Sequence, residues 1–247
     1  MASDIFSVDG RICMVTGASS GLGAHFARVL AERGARVAGA SNSGADKTDD
    51  ARILHLHCDI RNAADVAAAF DAVEREYGAV DVLVNAAGIA QFERAEALGD
   101  SAFAEIMDIN VNGTMRVTGE AMKRMSAARR GGSIIHVTSV LARKTVSGLS
   151  AYGGSKAALE QMTRSQAAEW ARHGIRVNAL APGWFPTAMT QQHFDKGLDR
   201  LLKTRIPMRR LGAPGDLDGA LLLLASEASR YMTGTVLTVD GGFSAGD

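Results

Sequence analysis

A short apolar run that passes directly into a glycine-rich turn constrains the fold of this chain more than any other feature. Residues 12–15 are apolar, Thr16–Gly23 reads Thr-Gly-Ala-Ser-Ser-Gly-Leu-Gly, and an amphipathic segment follows at Ala24–Glu32. A strand that turns so tightly into a helix needs glycine where φ becomes positive or where the backbone lies against a ligand. The first amides of the helix have no partner within it, and together with the helix dipole they attract phosphate. The segment therefore predicts a strand, a turn and a helix that bind a pyrophosphate.

The spacing of the glycines differs from two common phosphate-binding motifs. Gly17, Gly21 and Gly23 follow Gly-x-x-x-Gly-x-Gly, whereas the usual dinucleotide fingerprint is Gly-x-Gly-x-x-Gly and a Walker loop places Lys after its last glycine. On this segment alone, a glycine-rich helix entry without any ligand therefore stays open as an alternative.

Runs rich in β-forming residues alternate with helical periodicity along the chain. This alternation predicts an α/β fold with a parallel sheet and helices on both faces, because right-handed crossovers return successive strands to the same direction. Ligands of such folds bind where the strand carboxyl ends meet. The runs that we predict as strands are Ile12–Thr16, Arg36–Ala40, Ile53–His57, Val82–Asn85, Ser133–Thr138, Arg176–Leu180 and Val236–Val239.

The chain has 247 residues, 47% of them hydrophobic, and no linker or repeat divides it. This length suits one α/β domain with a large core, so we predict a single domain over residues 1–247. The longest irregular piece runs from Pro182 to about Asp195. We interpret it as part of a substrate lid that lies within residues 184–212.

Composition argues against nucleic acid and membranes as partners. The 27 basic and 27 acidic residues balance and aromatic residues make up only 5%, so the chain offers neither the basic field nor the stacking surface that nucleic acid needs. Met1–Gly10 lacks the apolar core of a signal peptide, and Leu221–Leu224 is too short to span a bilayer. Cys13 and Cys58 lie in apolar runs, where buried thiols are common, so we expect no disulfide or metal site. We predict a soluble, cytoplasmic protein that acts on a small molecule.

Polar residues or glycine follow four of the predicted strands at the point where each strand ends. Each instance alone is ordinary turn chemistry, since Asn, Asp and Gly are common turn residues. Four consecutive strands with this feature predict one ligand-binding crevice at the carboxyl edge of the sheet. The segments are Asp59-Ile60, Asn85-Ala86-Ala87-Gly88, Ser139 and Pro182-Gly183.

Tyr152 and Lys156 are the first candidates for catalysis. They open a helical segment that runs to about His173, and their spacing of four residues places both side chains on one face of the helix. A nearby ammonium lowers the pKa of a phenol by ~1 to 3, whereas burial raises the Tyr pKa and lowers the Lys pKa. Tyr152 can therefore act as a base near neutral pH only if the attraction between its phenolate and the Lys156 ammonium outweighs the cost of burying the two charges. For this reason we expect solvent to reach Lys156. On spacing alone, an exposed surface pair stays an alternative.

Taken together, these motifs resemble those of the short-chain dehydrogenase/reductase family over essentially the whole chain. The resemblance implies a Rossmann-like, doubly wound parallel sheet of about seven strands in the order 3-2-1-4-5-6-7. The matching segments are Thr16–Gly23 for the cofactor loop, Asn85-Ala86-Ala87-Gly88 for the Asn-Asn-Ala-Gly motif with Ala in second place, Asn110 for the helix asparagine, Ser139 with Tyr152 and Lys156, Pro182-Gly183 with Thr187, and Val239-Asp240-Gly241-Gly242-Phe243 at the end.

The resemblance also implies a reaction, the transfer of hydride between a nicotinamide and a carbonyl or secondary alcohol carbon. In that reaction Tyr152 protonates the carbonyl oxygen or removes the alcohol proton. Ser139 donates a hydrogen bond to the same oxygen. Lys156 lowers the Tyr152 pKa and holds the nicotinamide ribose, and Asn110 anchors a water that links Lys156 to solvent.

The end of the second strand bears on the choice of cofactor. A carboxylate there binds the ribose diol of NAD, and a basic residue accepts the extra phosphate of NADP. Ser41 and Asn42 are neither, but hydroxyl and amide groups also bind phosphate and Lys47 or Arg52 could reach it, so NADP(H) is favoured and NAD(H) stays an alternative. The resemblance assigns cofactor contacts to Gly17, Ser19, Ser20, Gly21, Leu22, Gly23, Ser41, Asn42, Asp59, Ile60, Asn85, Ala86, Ala87, Gly88, Tyr152, Lys156, Pro182, Gly183, Phe185 and Thr187.

The loops above the nicotinamide mix apolar and polar residues, which suggests a partly apolar substrate. Arg143 could receive a carboxylate or phosphate, although a solvated basic pair with Lys144 is the commoner arrangement. His136 lies inside a strand run and is interpreted as a core histidine. The side chains that we expect to contact substrate are Leu141, Arg143, Trp184, Met189 and His193.

Two functions of other classes stay open, because fold alone does not fix function. One is a cofactor-binding sensor or scaffold without turnover, but such a protein has no need of Ser139 at its position. The other is an isomerase or dehydratase on the same fold, for which Glu93 or His193 would have to supply an extra acid.

Small residues on the helix after Tyr152 suggest self-association. They leave a surface that a second helix could approach closely, and the resemblance implies a homotetramer, or a homodimer. Alanines are also simply good helix formers. The residues are Ala157, Ala158, Ala167, Ala168 and Ala171.

Overall fold

The computed structural model describes residues 4–43, 50–187, 190 and 197–246. Within them, seven parallel strands form one sheet in the order β3-β2-β1-β4-β5-β6-β7, which confirms the predicted topology. The strands are β1 (Ile12–Thr16), β2 (Arg36–Ser41), β3 (Ile53–His57), β4 (Val82–Asn85), β5 (Gly132–Val137), β6 (Ile175–Pro182) and β7 (Val236–Val239).

Helices cover both faces of this sheet. They are α1 (Gly21–Glu32), α2 (Ala63–Glu76), α3 (Asp100–Met107), α4 (Thr114–Ala128), α5 (Ser150–Trp170), α6 (Leu198–Arg205) and α7 (Asp218–Ala225), with a π-helical turn at Asp108–Gly113 between α3 and α4. Along β1, Cys13 and Val15 join the core under α1 and α7, whereas Met14 joins the core under α2 and α4. This alternation is the period of a strand that is buried on both faces.

The predicted strands agree closely with the observed ones. β1, β3, β4 and β7 have the predicted bounds, and β2 and β5 differ by one residue at their ends. β6 extends further at both ends because Ile175 pairs with Gly132 and Pro182 pairs with Val239. Proline is tolerated at Pro182 because it stands at the end of the strand.

The strand ends are aligned at one edge. Thr16 is the register partner of Asn85, and Asn85 is the partner of His136. The segments that follow β1, β4 and β5 therefore leave the sheet side by side, as the crevice prediction requires.

Both cysteines are buried and free, as predicted. Burial raises the pKa of Cys13 to about 12 and that of Cys58 to about 11, so both remain thiols at neutral pH. In the described part of the chain, no group of three or more His, Cys, Asp or Glu side chains could hold a metal ion. The helices described there are all too short or too polar to cross a membrane.

Candidate active site

A cleft of about 590 Å³ opens at the carboxyl edge of the sheet. Its walls are the segments that follow β1, β4, β5 and β6, and the ends of β2 and β3 close it at one side. Apart from Asn85, the residues predicted to contact the cofactor all line this cleft. The volume lies within the range of ordinary small-molecule sites.

The glycine-rich turn fits tightly between β1 and the segment after β4. Gly17 has a φ of 70°, and a Cβ on it would lie 2.7 Å from the Cα of Ala87. A Cβ on Gly23 would lie 2.2 Å from the carbonyl oxygen of Gly17. Ser20 precedes α1 in an extended conformation, and its side chain makes no capping hydrogen bond, so the first amides of α1 are left without a side-chain acceptor. This cradle fits the pyrophosphate of a dinucleotide.

Ser139, Tyr152 and Lys156 meet in the same cleft. The Ser139 side chain lies near the Tyr152 phenol and lowers its pKa, and Ser139 Oγ accepts a hydrogen bond from the Leu141 N–H at 3.1 Å. Lys156 Nζ lies 5.6 Å from the centroid of the Tyr152 ring and donates to the carbonyl oxygen of Val137 at 2.9 Å. The end of β5 and the first two turns of α5 thus bring together the three side chains that the sequence singled out.

Burial determines the protonation states of Tyr152 and Lys156. It raises the pKa of Tyr152 to about 12, against the opposing effect of Ser139, and lowers the pKa of Lys156 to about 8. The expectation that solvent reaches Lys156 is wrong for the protein alone, and its lowering of the Tyr152 pKa stays a prediction. The reason is that Lys156 is only 5% exposed and its ammonium is bound by the Val137 carbonyl. At neutral pH Tyr152 is a protonated phenol, a group that can donate a proton.

Asn110 lies in the π-helical turn and is fully buried. Its side chain accepts from the Ile89 N–H at 2.8 Å, donates to the Ile89 carbonyl at 2.9 Å and donates to Ser155 Oγ at 2.9 Å. Ser155 Oγ donates in turn to the carbonyl of Tyr152 at 2.7 Å. Asn110 therefore connects the segment after β4 to the start of α5 through hydrogen bonds. Its role in a proton relay through a bound water stays a prediction. The π-turn widens the helix at this point, as such turns often do at functional sites.

Asn85 lies below the cleft, in the core. Its Nδ2 donates to Thr118 Oγ1 at 2.9 Å and to His136 Nδ1 at 3.2 Å. His136 Nε2–H then donates to Gln166 Oε1 at 3.1 Å, so the histidine is neutral with its proton on Nε2. Burial lowers the His136 pKa to about 4. His136 is thus the core histidine that the sequence predicted, and Asn85 supports the site without lining it.

We expect His136 to make stability fall on mild acidification. The unfolded chain protonates His136 near its ordinary pKa of 6.5, whereas the folded chain does so near 4, so the unfolded state binds the extra proton between these values. The free energy of unfolding should therefore fall by about 1.5 kcal/mol from a pH of about 6.5 to a pH of about 5 through this group. Urea unfolding at several pH values, compared between the wild type and His136→Gln, measures it. Equal pH dependence in the two proteins would contradict the assignment.

The end of β2 presents hydroxyl and amide groups to the cleft. Ser41, Asn42 and Ser43 line it together with Arg61, whose guanidinium pairs with Asp59 at 2.6 Å. Arg61 was not predicted, although it directly follows the Asp59-Ile60 segment at the end of β3. Arg52, which the sequence offered as a phosphate ligand, is instead paired with Asp50 at 2.7 Å and with Glu32 at 3.6 Å. Lys47 lies outside the described residues.

Of the predicted substrate contacts, Leu141 and Trp184 line the cleft and Arg143 does not. Arg143 Nε donates to Glu160 Oε2 at 2.8 Å, because the carboxylate of Glu160 on α5 is buried and holds the guanidinium. Met189 and His193 lie outside the described residues. Further cleft residues were not predicted, and most of them adjoin residues that were. They are Cys58, Ile89, Ala90, Glu105, Ile109, Val137, Thr138, Val140, Leu149 and Thr190.

Comparison with known proteins agrees with this geometry. The family model described as enoyl-(acyl carrier protein) reductase matches residues 17–244. The 2-dehydro-3-deoxy-D-gluconate 5-dehydrogenase of Escherichia coli (strain K12) is 34% identical over 252 residues, which cover 99% of this chain and 100% of the relative. The galactitol 2-dehydrogenase (L-tagatose-forming) of Cereibacter sphaeroides is 38% identical over 254 residues, 97% of each chain. The crystal structure of a gluconate 5-dehydrogenase from Burkholderia cenocepacia J2315 in complex with NADP and tartrate superposes with a TM-score of 0.94, at 33% identity and over 100% of both chains.

Proposed function

The chain belongs to the short-chain dehydrogenase/reductase family, and we propose that it interconverts a ketone and a secondary alcohol of a polyhydroxylated small molecule with NADP(H). The reaction class is that of the relatives: the protein is an NAD(P)(H)-dependent oxidoreductase that acts on CH–OH and C=O groups. The observation in the structure that supports the interconversion of a ketone and an alcohol is the meeting of Ser139, Tyr152 and Lys156 in one cleft with the glycine cradle.

The proposed chemistry follows from the protonation states of these side chains. When bound, the nicotinamide supplies or accepts the hydride. The Tyr152 phenol is protonated at neutral pH, so it donates its proton to the carbonyl oxygen during reduction, and in the reverse reaction the phenolate that this leaves takes the proton of the alcohol. The Ser139 hydroxyl binds the same oxygen and stabilises the charge that develops on it. The Lys156 ammonium keeps positive charge beside the phenol, and Asn110 fixes the helix that carries both.

The substrate class is proposed from the names of the relatives. The proteins compared above act, by name, on a deoxygluconate, a galactitol and a gluconate, all of which carry several hydroxyl groups. Absorbance of the reduced nicotinamide should fall or rise with polyols, sugar acids and their keto forms. Tight cofactor binding with no turnover of any carbonyl or alcohol would instead favour the sensor function.

NADP(H) is the proposed cofactor because no free carboxylate among the described residues stands at the end of β2. Asp50 is held by Arg52, and Asp59 by Arg61. The gluconate 5-dehydrogenase structure compared above contains NADP. Ser41 and Asn42 would then hold the extra phosphate, and cofactor selectivity would depend on the charge at the end of β2.

Asn42→Asp tests this choice because it adds one charge with little change of shape. We expect the affinity for NADPH to fall about tenfold or more, since the carboxylate repels the phosphate and can bind the ribose diol of NADH instead. Fluorescence titration with NADPH and NADH gives both affinities. Gln161→Glu, which adds the same charge on the exposed surface of α5, is the matched control. An unchanged preference in Asn42→Asp would rule out recognition at the end of β2.

We also propose a cytoplasmic homotetramer or homodimer, with residues 184–212 as the substrate lid. Ala157, Ala158 and Ala168 are at least partly exposed on α5, as a helix-to-helix interface would need. Ala167 is buried in the core of its own chain and does not belong to such a surface. Light scattering at several protein concentrations tests the assembly.

A further inference from the structure

An ion pair with a buried carboxylate joins α5 to the short turn that Ser139 begins. Arg143 Nε donates to Glu160 Oε2 at 2.8 Å. Glu160 is only 3% exposed, whereas the Arg143 side chain is half-exposed. The second carboxylate oxygen, Glu160 Oε1, is buried and has no partner among the described residues. A carboxylate buried in this way is costly, and a buried ion pair is weak evidence of added stability. Its place in the fold offers a better explanation.

The turn from Ser139 to Arg143 is tightly wound. Ser139 Oγ accepts from the Leu141 N–H at 3.1 Å, and the Ser139 carbonyl accepts from the Ala142 N–H at 3.0 Å. The Val140 carbonyl accepts from the Arg143 N–H at 3.0 Å. These bonds make one short 3-10 helix with Ser139 at its start and Arg143 at its end. A displacement of Arg143 is therefore passed on to Ser139.

α5 carries both the proposed proton donor and the carboxylate that holds this turn. Tyr152 and Glu160 are eight residues apart, about two helical turns, so they lie along one side of α5. The turn also packs directly on the start of α5, because a Cβ on Gly153 would lie 2.8 Å from the carbonyl oxygen of Leu141. The turn is thus held on α5 at two levels. One is the backbone contact next to Tyr152, and the other is the pair between Arg143 and Glu160.

We infer that Glu160 is a positioning residue that, through Arg143, sets the distance between the Ser139 hydroxyl and the Tyr152 phenol. The inference rests on the proposed function, in which both groups bind the same substrate oxygen. Ser139 follows β5 and Tyr152 belongs to α5, so their spacing depends on how these two elements are joined. A charge-assisted hydrogen bond fixes this join more narrowly than apolar contact, which tolerates sliding. A misplacement of about 1 Å can lower an enzymatic rate about a hundredfold.

The test measures kcat, KM and NADPH affinity in Glu160→Leu and Glu160→Gln, with the substrate that the wild type turns over fastest. Leu is apolar and cannot accept from Arg143, whose half-exposed side chain can turn to solvent. We therefore expect kcat to fall by a factor of about ten or more, while NADPH affinity and the melting temperature stay near the wild-type values. Gln keeps an oxygen acceptor and should restore most of kcat. Glu120→Leu is the matched control, because Glu120 accepts from Arg124 Nε at the same 2.8 Å on α4, and it should leave kcat unchanged.

A double variant tests whether Glu160 acts through Ser139. Once Ser139→Ala has removed the hydroxyl, its position no longer matters, so adding Glu160→Leu should lower kcat by less than about twofold. If Glu160→Leu does not fold, Glu160→Leu combined with Arg143→Met, which leaves neither charge, takes its place in both backgrounds.

The outcomes separate the inference from the proposed function. Wild-type turnover with no loss of kcat in Glu160→Leu overturns the inference alone and leaves the pair as a structural contact. An equal loss of kcat with and without the Ser139 hydroxyl does the same. A wild type that turns over no carbonyl or alcohol overturns the proposed function, and the inference with it.

Discussion

Replacing Tyr152 with phenylalanine is expected to lower kcat by about a hundredfold to ten-thousandfold while cofactor affinity stays near the wild-type value. The variant removes one oxygen and leaves the ring, so packing in the cleft is retained. That oxygen carries the proton for transfer, and general acid–base catalysis by a positioned side chain contributes factors of this size. Because burial keeps the phenol protonated, the wild type holds this proton ready at neutral pH and the variant does not. Steady-state rates and NADPH titration measure the two effects separately.

The matched control is Tyr231→Phe, the same change at a fully exposed tyrosine. It should leave both kcat and cofactor affinity as they are. If Tyr152→Phe retains wild-type turnover, Tyr152 is not the acid and the proposed mechanism fails. If it loses cofactor affinity as well as turnover, Tyr152 serves mainly to bind the nicotinamide ribose, and the proton donor must be sought elsewhere in the cleft.

The fold could be predicted from the sequence because local and global signals agree. Most strands of the sheet are apolar runs that end at or beside a turn residue, and in β1, which is buried over its whole length, no helical period competes with the strand pattern. The ends of β6 differ most from the prediction. They are set by the pairing of Ile175 with Gly132 and of Pro182 with Val239, which are tertiary contacts that no local pattern encodes.

The sequence predicts which residues line the site, because their places on strands and helices follow from local patterns. Residues at strand ends converge because the topology brings them there, which is why Ser139 was found, whereas Tyr152 and Lys156 were found from their spacing of four residues on one helix. Protonation and pairing depend on neighbours that are distant in sequence. The Val137 carbonyl binds the Lys156 ammonium, and a buried carboxylate draws Arg143 away from the cleft.

Gly17→Ala is expected to destabilise the fold by about 2 to 5 kcal/mol and to abolish measurable cofactor binding. Alanine at a φ of 70° costs ~1 to 2 kcal/mol, and its Cβ would lie 2.7 Å from the Ala87 Cα, a backbone atom that cannot move without shifting the segment after β4. That shift would open the cradle below the first amides of α1, where the pyrophosphate is proposed to bind. Thermal unfolding and NADPH titration measure the two losses.

Gly219→Ala is the matched control, because Gly219 is exposed in α7 and a Cβ there meets no atom within 4 Å. Alanine is the better helix former, so this variant should be as stable as the wild type or up to ~1 kcal/mol more stable, with cofactor affinity unchanged. A stable Gly17→Ala protein that binds NADPH normally would show that the turn tolerates a side chain. The close approach of Gly17 to Ala87 would then not be needed to shape the phosphate site. The first amides of α1 would bind the pyrophosphate without that contact.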